Sequence, residues 1–535
     1  MENGRLNAAP LWSAPFWQPM VREPLFVGIF IGLVASSLAL VVGFQQGILD
    51  LHDFRQAQTA LTTYWMTKGG DWLAYETPVV GYPWTIPFEF PVFQWVSALV
   101  SLSGLSIIEA SRLVSWTFFI VFIGFTASTL KRLELSNIVI LTFTTLTLCS
   151  PIYLFWSRTV MIESTALMFG AIFLFGLIGY WKKPNVLDAI LLFIGLILCC
   201  LVKVTTVVSF AAFAAIISLW FLYQAHQAGK SLINLAVLAS VPAAAALIAL
   251  GLFLVWLDFT DTLKSRNPFG EALTASGISI HTIGTLDQRL DPAAWLEVFF
   301  GRTVRDTVGS PLLVVLAGWA ILKTRYMVWP AIIAMSLYIL PFLVFTNLHL
   351  VHNYYQYANA FFLILFMSIG LLAASQLNLK MFETWSEKRK QVTLLMALVT
   401  FQLGTFCTGF LQTMIKDQSA QPAYKIGTYL NKAVKPDEVA FSFGNSWSSA
   451  HSFMSQRRVI TLPEGAAHIA LATKDMAVWT GGAPISAVVD CEKNKTSQML
   501  PFIKRITKGM KSELVGTCLV YTPIQTRPAS TLSQQ

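Results

Sequence analysis

The sequence predicts an all-α polytopic membrane protein with a small C-terminal α/β domain. Of its 535 residues, 55% are hydrophobic and 12% are charged, whereas about a quarter of the residues in soluble domains are charged. The mean hydropathy of +0.61 agrees with a membrane class. The net charge of +9 fits basic loops beside a membrane. No block of Lys and Arg is long enough to indicate a nucleic-acid partner.

Eleven apolar runs have the length expected of membrane-spanning helices, which is about 20 residues. The first run is interpreted as a retained span, because it lacks a clear small-residue cleavage site. The predicted spans are 24–45, 112–130, 137–155, 160–180, 186–202, 204–223, 232–257, 310–322, 328–346, 357–375 and 391–414.

A further apolar segment, 90–105, is predicted to lie against the outer side of the membrane without crossing it. If it crossed, every later cluster of basic residues would change sides. The alternative is that this segment spans the membrane and that another short helix has been overlooked.

The basic loops between the spans fall on one side, which the positive-inside rule identifies as the cytoplasm. These loops carry Lys131, Arg132, Lys182, Lys183, Lys230, Lys323, Arg325, Lys380, Lys388, Arg389 and Lys390. The predicted protein is a multi-pass protein of the cell (inner) membrane with three parts. They are a cytoplasmic tail, 1–23, a transmembrane domain, 24–415, with outer loops 46–111 and 258–309, and an extracytoplasmic domain, 416–535.

Ionisable residues near membrane depth gather on the outer side. Such residues are costly in a membrane and often line a functional cavity. They are Asp53, Arg55, Glu89, Arg158, Glu163, Lys203, His349 and His352. Snorkelling or pairing at a span end is an equal alternative for Arg158 and Lys203, and for His349 a hydrogen-bonded residue at the mouth of a helix is the favoured interpretation. Asp53 precedes an amphipathic segment and could instead cap the N-terminus of a helix.

After about residue 417 the sequence alternates between predicted strands and helices. Strands are predicted within 438–444, 457–463, 485–492 and 516–523, and helices within 423–434 and 499–510. Cys491 and Cys518 lie on or beside two of these strands. An even pair in an oxidising compartment predicts a disulfide, with two free thiols as the alternative.

Four short motifs occur in order on the predicted outer side: HDFRQAQTA (52–60), EFPVFQW (89–95), SRTVMIESTAL (157–167) and HNYYQ (352–356). In this order they resemble the GT-C glycosyltransferases, membrane enzymes that use polyprenyl-phosphate sugars. The resemblance covers residues 25–375 and is closest to the bacterial group related to protein O-mannosyltransferases and lipid A aminoarabinose transferase. Phe54 replaces the second acid of the mannosyltransferase Asp-Glu pair, which favours the bacterial branch and leaves the acceptor open.

The resemblance implies a role for each matching acid. Asp53 corresponds to the first-loop acid and is predicted to be the general base that takes a proton from the acceptor hydroxyl. Glu89 and Glu163 are predicted to hold sugar or acceptor hydroxyls, or to position a cation. Arg55 either orients Asp53 or binds phosphate.

Cations and hydrogen-bond donors on the outer side complete the predicted substrate site. Lys203, Arg302 and Arg305 are candidates for the lipid phosphate, since Arg matches phosphate through its planar fork. The alternative for Arg305 is an ion pair with Asp306. Arg158, His352 and Tyr354 are further substrate-binding candidates, whereas Tyr355 is expected to pack. No cofactor is predicted; Glu89 and His352 could converge on a divalent cation, but no residues have metal-ligand spacing.

The predicted function is transfer of a sugar from a polyprenyl-phosphate donor to a glycan, lipid A or protein acceptor, with inversion, at the extracytoplasmic face. The predicted partners are the lipid-linked sugar, its acceptor and membrane lipid. One alternative is a transporter or flippase for a lipid-linked sugar, which should show paired halves with interrupted spans. The other is a polysaccharide ligase or polymerase. The sequence does not identify the sugar or the acceptor.

Overall fold

The computed structural model describes Gln18 and residues 20–378, 380–462, 475–491 and 499–524. The predicted cytoplasmic tail, 1–23, lies mostly outside these residues. The chain forms two compact units. The first contains 1–46, 89–256 and 279–416, and the second contains 47–88, 257–278 and 417–535. The domains predicted from membrane topology are a different kind of division and stay a prediction.

Long apolar helices dominate the chain, which is a multi-pass membrane protein. Within the described residues, six helices are long and apolar enough to cross a membrane, or seven if a bent pair counts as one span. The six are Phe26–Gly43, Ile107–Arg132, Glu163–Lys182, Val186–Gln227, Leu232–Lys264 and Glu387–Met414, and the bent pair is Ala294–Val308 with Pro311–Thr324. Four shorter apolar helices are Val92–Ser101, Asn137–Cys149, Val328–Val344 and Ala360–Ser375.

Short helical segments connect these helices or extend them. The α-helical segments are Pro151–Trp156, Ser279–Ile283, Leu286–Leu290, Arg305–Val308, Thr346–Val351 and Leu411–Met414. The segments Ala294–Val304 and Phe406–Phe410 are π-helical, and Gly270–Leu273, Tyr355–Ala358 and Lys380–Phe382 are 3₁₀-helical.

Each predicted span coincides with an apolar helix, but the count of eleven spans is not confirmed. The run 137–155 is divided at Ser150, whose extended backbone precedes Pro151, because a residue before proline disfavours the helical region. The segment 90–105 contains a helix of ten residues, Val92–Ser101. Ten helical residues extend about 15 Å, which is half of the ~30 Å hydrocarbon core.

The predicted joint near Lys203 is confirmed as a break inside the helix Val186–Gln227. Lys203 has φ −159° and ψ 91°, whereas the residues on both sides are helical. The run therefore consists of two helices, as the predicted spans 186–202 and 204–223 require.

Two of the predicted cytoplasmic loops meet at one end of the first unit. Lys182 Nζ lies 2.5 Å from Glu134 Oε1, and Arg132 Nη1 lies 2.7 Å from Asp188 Oδ1. Loops that the charge pattern assigned to one side of the membrane therefore share one end of the helix bundle.

The second unit combines the helix Asp53–Thr67 with a five-stranded sheet from the C-terminal part. The strands are β1 (Val439–Phe443), β2 (Arg458–Leu462), β3 (Ile485–Asp490), β4 (Met510–Val515) and β5 (Cys518–Pro523). Their order is β2-β1-β3-β5-β4, with β1, β2 and β3 parallel and β5 antiparallel to both neighbours. The helices are Pro422–Ala433, Ala450–Ser455, Met476–Thr480 and Met499–Ile506.

The four predicted strands are confirmed, and one strand was missed. The predicted helix 499–510 ends at Ile506, and β4 begins at Met510. Only the two end residues of β4 are partly buried, so this strand lacks the apolar alternation that identifies a half-buried strand. The predicted disulfide between Cys491 and Cys518 is confirmed. It adjoins a core in which Ile426 and Leu430 pack against buried strand residues.

Candidate active site

Asp53 is the first residue of the helix Asp53–Thr67 in the second unit. His52 occupies the capping position with a left-handed backbone (φ 47°, ψ 47°) and makes no side-chain cap hydrogen bond. The alternative that Asp53 caps this helix is therefore wrong, because Asp53 lies one residue beyond the cap. A non-glycine residue seldom adopts the conformation of His52, and such strained residues cluster at functional sites.

The carboxylate of Asp53 is partly exposed and has no hydrogen-bond or ion-pair partner among the residues that the structure describes. Its neighbours on the helix make their own contacts. Gln56 Nε2 donates to Asp50 Oδ1 at 2.6 Å, and Arg55 Nη1 donates to Gln58 Oε1 at 2.6 Å. The Asp53 carboxylate is thus available to accept a proton or a hydrogen bond from a substrate.

Glu163 and Lys203 form a buried ion pair in the first unit. Lys203 Nζ lies 2.5 Å from Glu163 Oε1, and the two side chains are 9% and 3% exposed. Glu163 begins the helix Glu163–Lys182, where the helix dipole favours a negative charge. Glu163 Oε2 has no hydrogen-bond partner within the described part of the chain. A buried carboxylate oxygen without a partner is unfavourable unless a ligand or water contacts it.

Two tyrosine rings face the Lys203 ammonium. Its Nζ lies 4.2 Å from the ring centroid of Tyr355 and 5.2 Å from that of Tyr354, distances that allow cation–π attraction. The two rings stack on each other at 4.8 Å. His352 lies 5.2 Å from Tyr354 and 5.6 Å from Tyr355. We call Glu163, Lys203, His352, Tyr354 and Tyr355 the Lys203 cluster.

Arg302 and His349 adjoin this cluster. Arg302 donates hydrogen bonds to the backbone carbonyls of His349 and Leu350, the latter at 3.2 Å. His349 is buried, and its Nδ1 has no hydrogen-bond partner among the described residues. Burial, together with the charges of Lys203 and Arg302, lowers the pKa of His349 from 6.5 to about 3. The His349 ring is therefore neutral and can accept a hydrogen bond at neutral pH.

The remaining candidates make structural contacts. Arg305 pairs with Asp306 at 3.0 Å, which was the alternative expected for it. Glu89 Oε1 accepts a hydrogen bond from Gln94 Nε2 at 3.0 Å. Arg158 is fully buried, with its guanidinium 4.7 Å from the ring centroid of Phe155. Their assignment to a substrate stays a prediction.

No group of three or more His, Cys, Asp or Glu in the described residues could hold a metal ion. Asp53 supplies a carboxylate, and Lys203 and Arg302 supply positive charges and hydrogen-bond donors. Asp53 can take a proton, and Lys203 can neutralise an anion if that anion displaces Glu163.

Sequence reasoning missed Trp447 and did not predict the contact between Tyr355 and Lys203. Tyr355 packs on Tyr354, as expected, and its ring is also closer to Lys203 than that of Tyr354. Trp447 contacts Phe54, the neighbour of Asp53, with ring centroids 4.7 Å apart. Because nearly four hundred residues separate these two rings in the chain, no local pattern could have paired them.

Solved structures of similar fold include two enzymes. The crystal structure of ArnT from Cupriavidus metallidurans bound to undecaprenyl phosphate has a TM-score of 0.60 and 12% identity, covering 96% of this chain and 99% of that one. The apo oligosaccharyltransferase of Archaeoglobus fulgidus has a TM-score of 0.55 and 12% identity, covering 94% of this chain and 75% of that one. No family model matches the chain, and no curated protein sequence matches it.

These likenesses show that the chain has the GT-C fold, in agreement with the resemblance carried by the sequence motifs. In particular, its fold follows that of ArnT over nearly the full length of both chains. At this level of sequence identity the likeness defines the fold, and the reaction has to be argued from the residues.

Proposed function

We propose that this protein is an integral membrane glycosyltransferase that moves a sugar from a polyprenyl-phosphate donor to an acceptor hydroxyl at the extracytoplasmic face. The observation that carries the proposal is the carboxylate of Asp53, which has no partner among the described residues and lies at the start of the helix Asp53–Thr67 in a GT-C fold. The undecaprenyl phosphate in the similar ArnT structure supports a polyprenyl-phosphate partner for this chain.

The reaction is a single displacement with inversion at the anomeric carbon. The acceptor hydroxyl gives its proton to Asp53, and its oxygen forms a bond to the anomeric carbon. The bond from that carbon to the phosphate oxygen breaks, and polyprenyl phosphate leaves with the electron pair. The positive charges of Lys203 and Arg302 are assigned to the phosphate, whose negative charge increases as it leaves.

Phosphate binding by Lys203 requires competition with its ion pair to Glu163. A phosphate can replace a carboxylate as the partner of a buried ammonium, and the released Glu163 can then accept hydrogen bonds from sugar or acceptor hydroxyls. The two nearby tyrosine rings stabilise the ammonium with either anion. Glu89, His352 and Tyr354 are assigned to hydroxyl groups of the substrates, and the acceptor class is a glycan, lipid A or a protein.

Comparative mass spectrometry of the cell envelope tests this function. Glycans, lipid A and secreted proteins are compared in cells with the gene, without it, and with Asp53→Asn or Asp53→Ala. We expect the deletion to remove one sugar and wild type to restore it. Asp53→Asn keeps the size of the side chain but cannot take a proton, so transfer should fall by roughly 10²-fold or more.

Two outcomes would contradict the proposal. A deletion strain with unchanged glycans would count against glycosyl transfer. Full restoration by Asp53→Asn, at an expression level equal to that of wild type, would show that Asp53 is not the base. Thermal unfolding of both variants provides the control, because loss of a first-turn acid should change stability by only about 0.3–1 kcal/mol.

A further inference from the structure

The segment that leads into Asp53 is held by two glutamines from the C-terminal part of the same unit. Leu49 N donates to Gln418 Oε1 at 2.9 Å, and Gln418 Nε2 donates to Gly47 O at 3.2 Å. Gln421 Nε2 donates to Leu49 O at 2.9 Å. Gly47 allows this close approach, because a Cβ atom at this position would collide with the amide oxygen of Gln418.

The residue after Asp53 is held by an aromatic contact. The Phe54 ring meets Trp447 edge to face at 4.7 Å, and Phe88 stacks on Trp447 at 5.9 Å. Such geometries are the favoured ones for aromatic pairs. Trp447 lies in the turn that follows β1, where Gly444 (φ 86°) and Ser446 (φ 49°) both have a left-handed backbone. This turn places the Trp447 ring against Phe54 of the helix Asp53–Thr67.

The position of the Asp53 carboxylate depends on its backbone, because no described side chain binds it. That backbone is fixed on both sides by the C-terminal part: residues 47–49 by the two glutamines, and Phe54 by Trp447. Between the two anchors lies His52 in its left-handed conformation. A strained conformation persists only when the surrounding structure enforces it.

We propose that Trp447, Gln418 and Gln421 are positioning residues for Asp53, so that the C-terminal part of the chain is a component of the catalytic machinery. This inference rests on the proposed function, in which Asp53 is the base. A general base must lie within hydrogen-bond reach of the proton it removes. Loosening either anchor should therefore reduce transfer while the sheet remains folded.

The test combines hydrogen exchange of the full-length protein in lipid nanodiscs with the cell-envelope measurement. The variants are Trp447→Ala, the conservative Trp447→Phe, and Gln421→Leu, which keeps size and removes the bond to Leu49. Trp479→Phe is the matched control, since Trp479 is another tryptophan of this unit, more deeply buried than Trp447, and contacts the Gly81–Tyr82 segment.

We expect at least tenfold faster exchange of the amides in 48–56 for Trp447→Ala and Gln421→Leu, with β1 unchanged, and transfer reduced by at least tenfold. Trp447→Phe should restore both, because it keeps a ring against Phe54. Trp479→Phe should leave both at the wild-type level even if it lowers the unfolding temperature.

Unchanged exchange in 48–56 would overturn the inference, and so would wild-type transfer by Trp447→Ala in cells where Asp53→Asn has lost transfer. If Asp53→Asn itself retains transfer, Asp53 is not the base and its positioning by the C-terminal part has no role in transfer; if the deletion leaves the glycans unchanged, glycosyl transfer itself fails. The failures of the positioning role and of the proposed function are distinguishable, because hydrogen exchange reports on the backbone of 48–56 without any substrate, whereas transfer requires the substrates.

Discussion

At Lys203 a charge is buried where the backbone is broken. The extended backbone of this residue separates two helical segments, and its ammonium lies between the Glu163 carboxylate and two tyrosine rings. Breaking a buried ion pair by removing one partner is strongly destabilising, whereas replacing both partners is often neutral. This difference separates a structural role of the pair from a role in binding phosphate.

We expect Lys203→Met alone to destabilise the protein by about 3 kcal/mol or more, because Glu163 is left charged and buried. The double variant Lys203→Met with Glu163→Gln should regain most of that stability. Transfer should remain lost in the double variant, because the cation assigned to the phosphate is absent. Thermal unfolding and envelope mass spectrometry measure the two quantities.

Lys182→Met is the matched control, since its ion pair with Glu134 is exposed and should contribute less than about 1 kcal/mol. Recovery of transfer together with stability in the double variant would show that the Lys203–Glu163 pair is only structural.

His451 gives the second unit a pH-dependent stability. The ring is buried, lies 3.0 Å from Ser442 Oγ through Nδ1, and has its pKa lowered from 6.5 to about 4 by burial. The unfolded chain therefore binds a proton between pH 6.5 and 4 that the native ring does not. The contribution is complete above pH 6.5 and declines as the pH falls to 4, by at most about 3 kcal/mol.

Thermal unfolding of wild type and His451→Gln from pH 8 to 4 checks this prediction. The variant should show a smaller fall in unfolding temperature across the window. His349 also has a lowered pKa but is present in both proteins, so only the difference between the two slopes counts. Equal slopes would mean that His451 does not couple protonation to folding.

At the scale of elements, the helices Glu163–Lys182 and Val186–Gln227 pack closely through glycines. A Cβ at Gly195 would lie 2.7 Å from Phe173 Cα, and one at Gly176 would lie 2.7 Å from Asp188 O. Small residues are the usual means by which membrane helices approach each other. This close packing supports the two elements that carry Glu163 and Lys203.

Gly195→Leu should destabilise the protein by more than about 2 kcal/mol, because the backbone of the neighbouring helix cannot move aside easily. Gly251→Leu is the matched control: it lies in the helix Leu232–Lys264, and no atom of the described residues lies within 4 Å of a Cβ added there. Yield and thermal unfolding in detergent measure the difference. Similar losses for both variants would contradict close packing at Gly195.

At the scale of the whole molecule, the ion pairs of the 131–134 and 182–188 loops define one end of the helix bundle. The positive-inside rule assigns this end to the cytoplasm. The Cys491–Cys518 disulfide fits the assignment of the C-terminal part to the oxidising side. The predicted orientation of the protein in the membrane therefore determines the face on which the proposed transfer takes place.

Cysteine labelling in intact cells measures this orientation. In a Cys407→Ala background, an impermeant maleimide should not label Lys131→Cys or Lys182→Cys. It should label the positive controls Asp71→Cys and Lys511→Cys, which replace exposed residues of the second unit. The reverse pattern would invert the topology and remove the basis for transfer at the extracytoplasmic face.

The sequence by itself determined the features that depend on local composition. Apolar runs of about 20 residues identified the helices. Lys203 marked a joint because its charge lies between two such runs. Four strands and the disulfide followed from local patterns in the same way. The exposed strand β4 escaped, because its side chains carry no apolar alternation.

Only the tertiary structure decided how the candidate residues are arranged. The Glu163–Lys203 pair joins residues 40 positions apart, and the Phe54–Trp447 contact joins the first outer loop to a turn after β1. The capping alternative for Asp53 was settled by the backbone of His52. Packing and hydrogen bonds between distant segments determine these features, and a pattern of neighbouring residues contains no information about which distant segment will supply the partner.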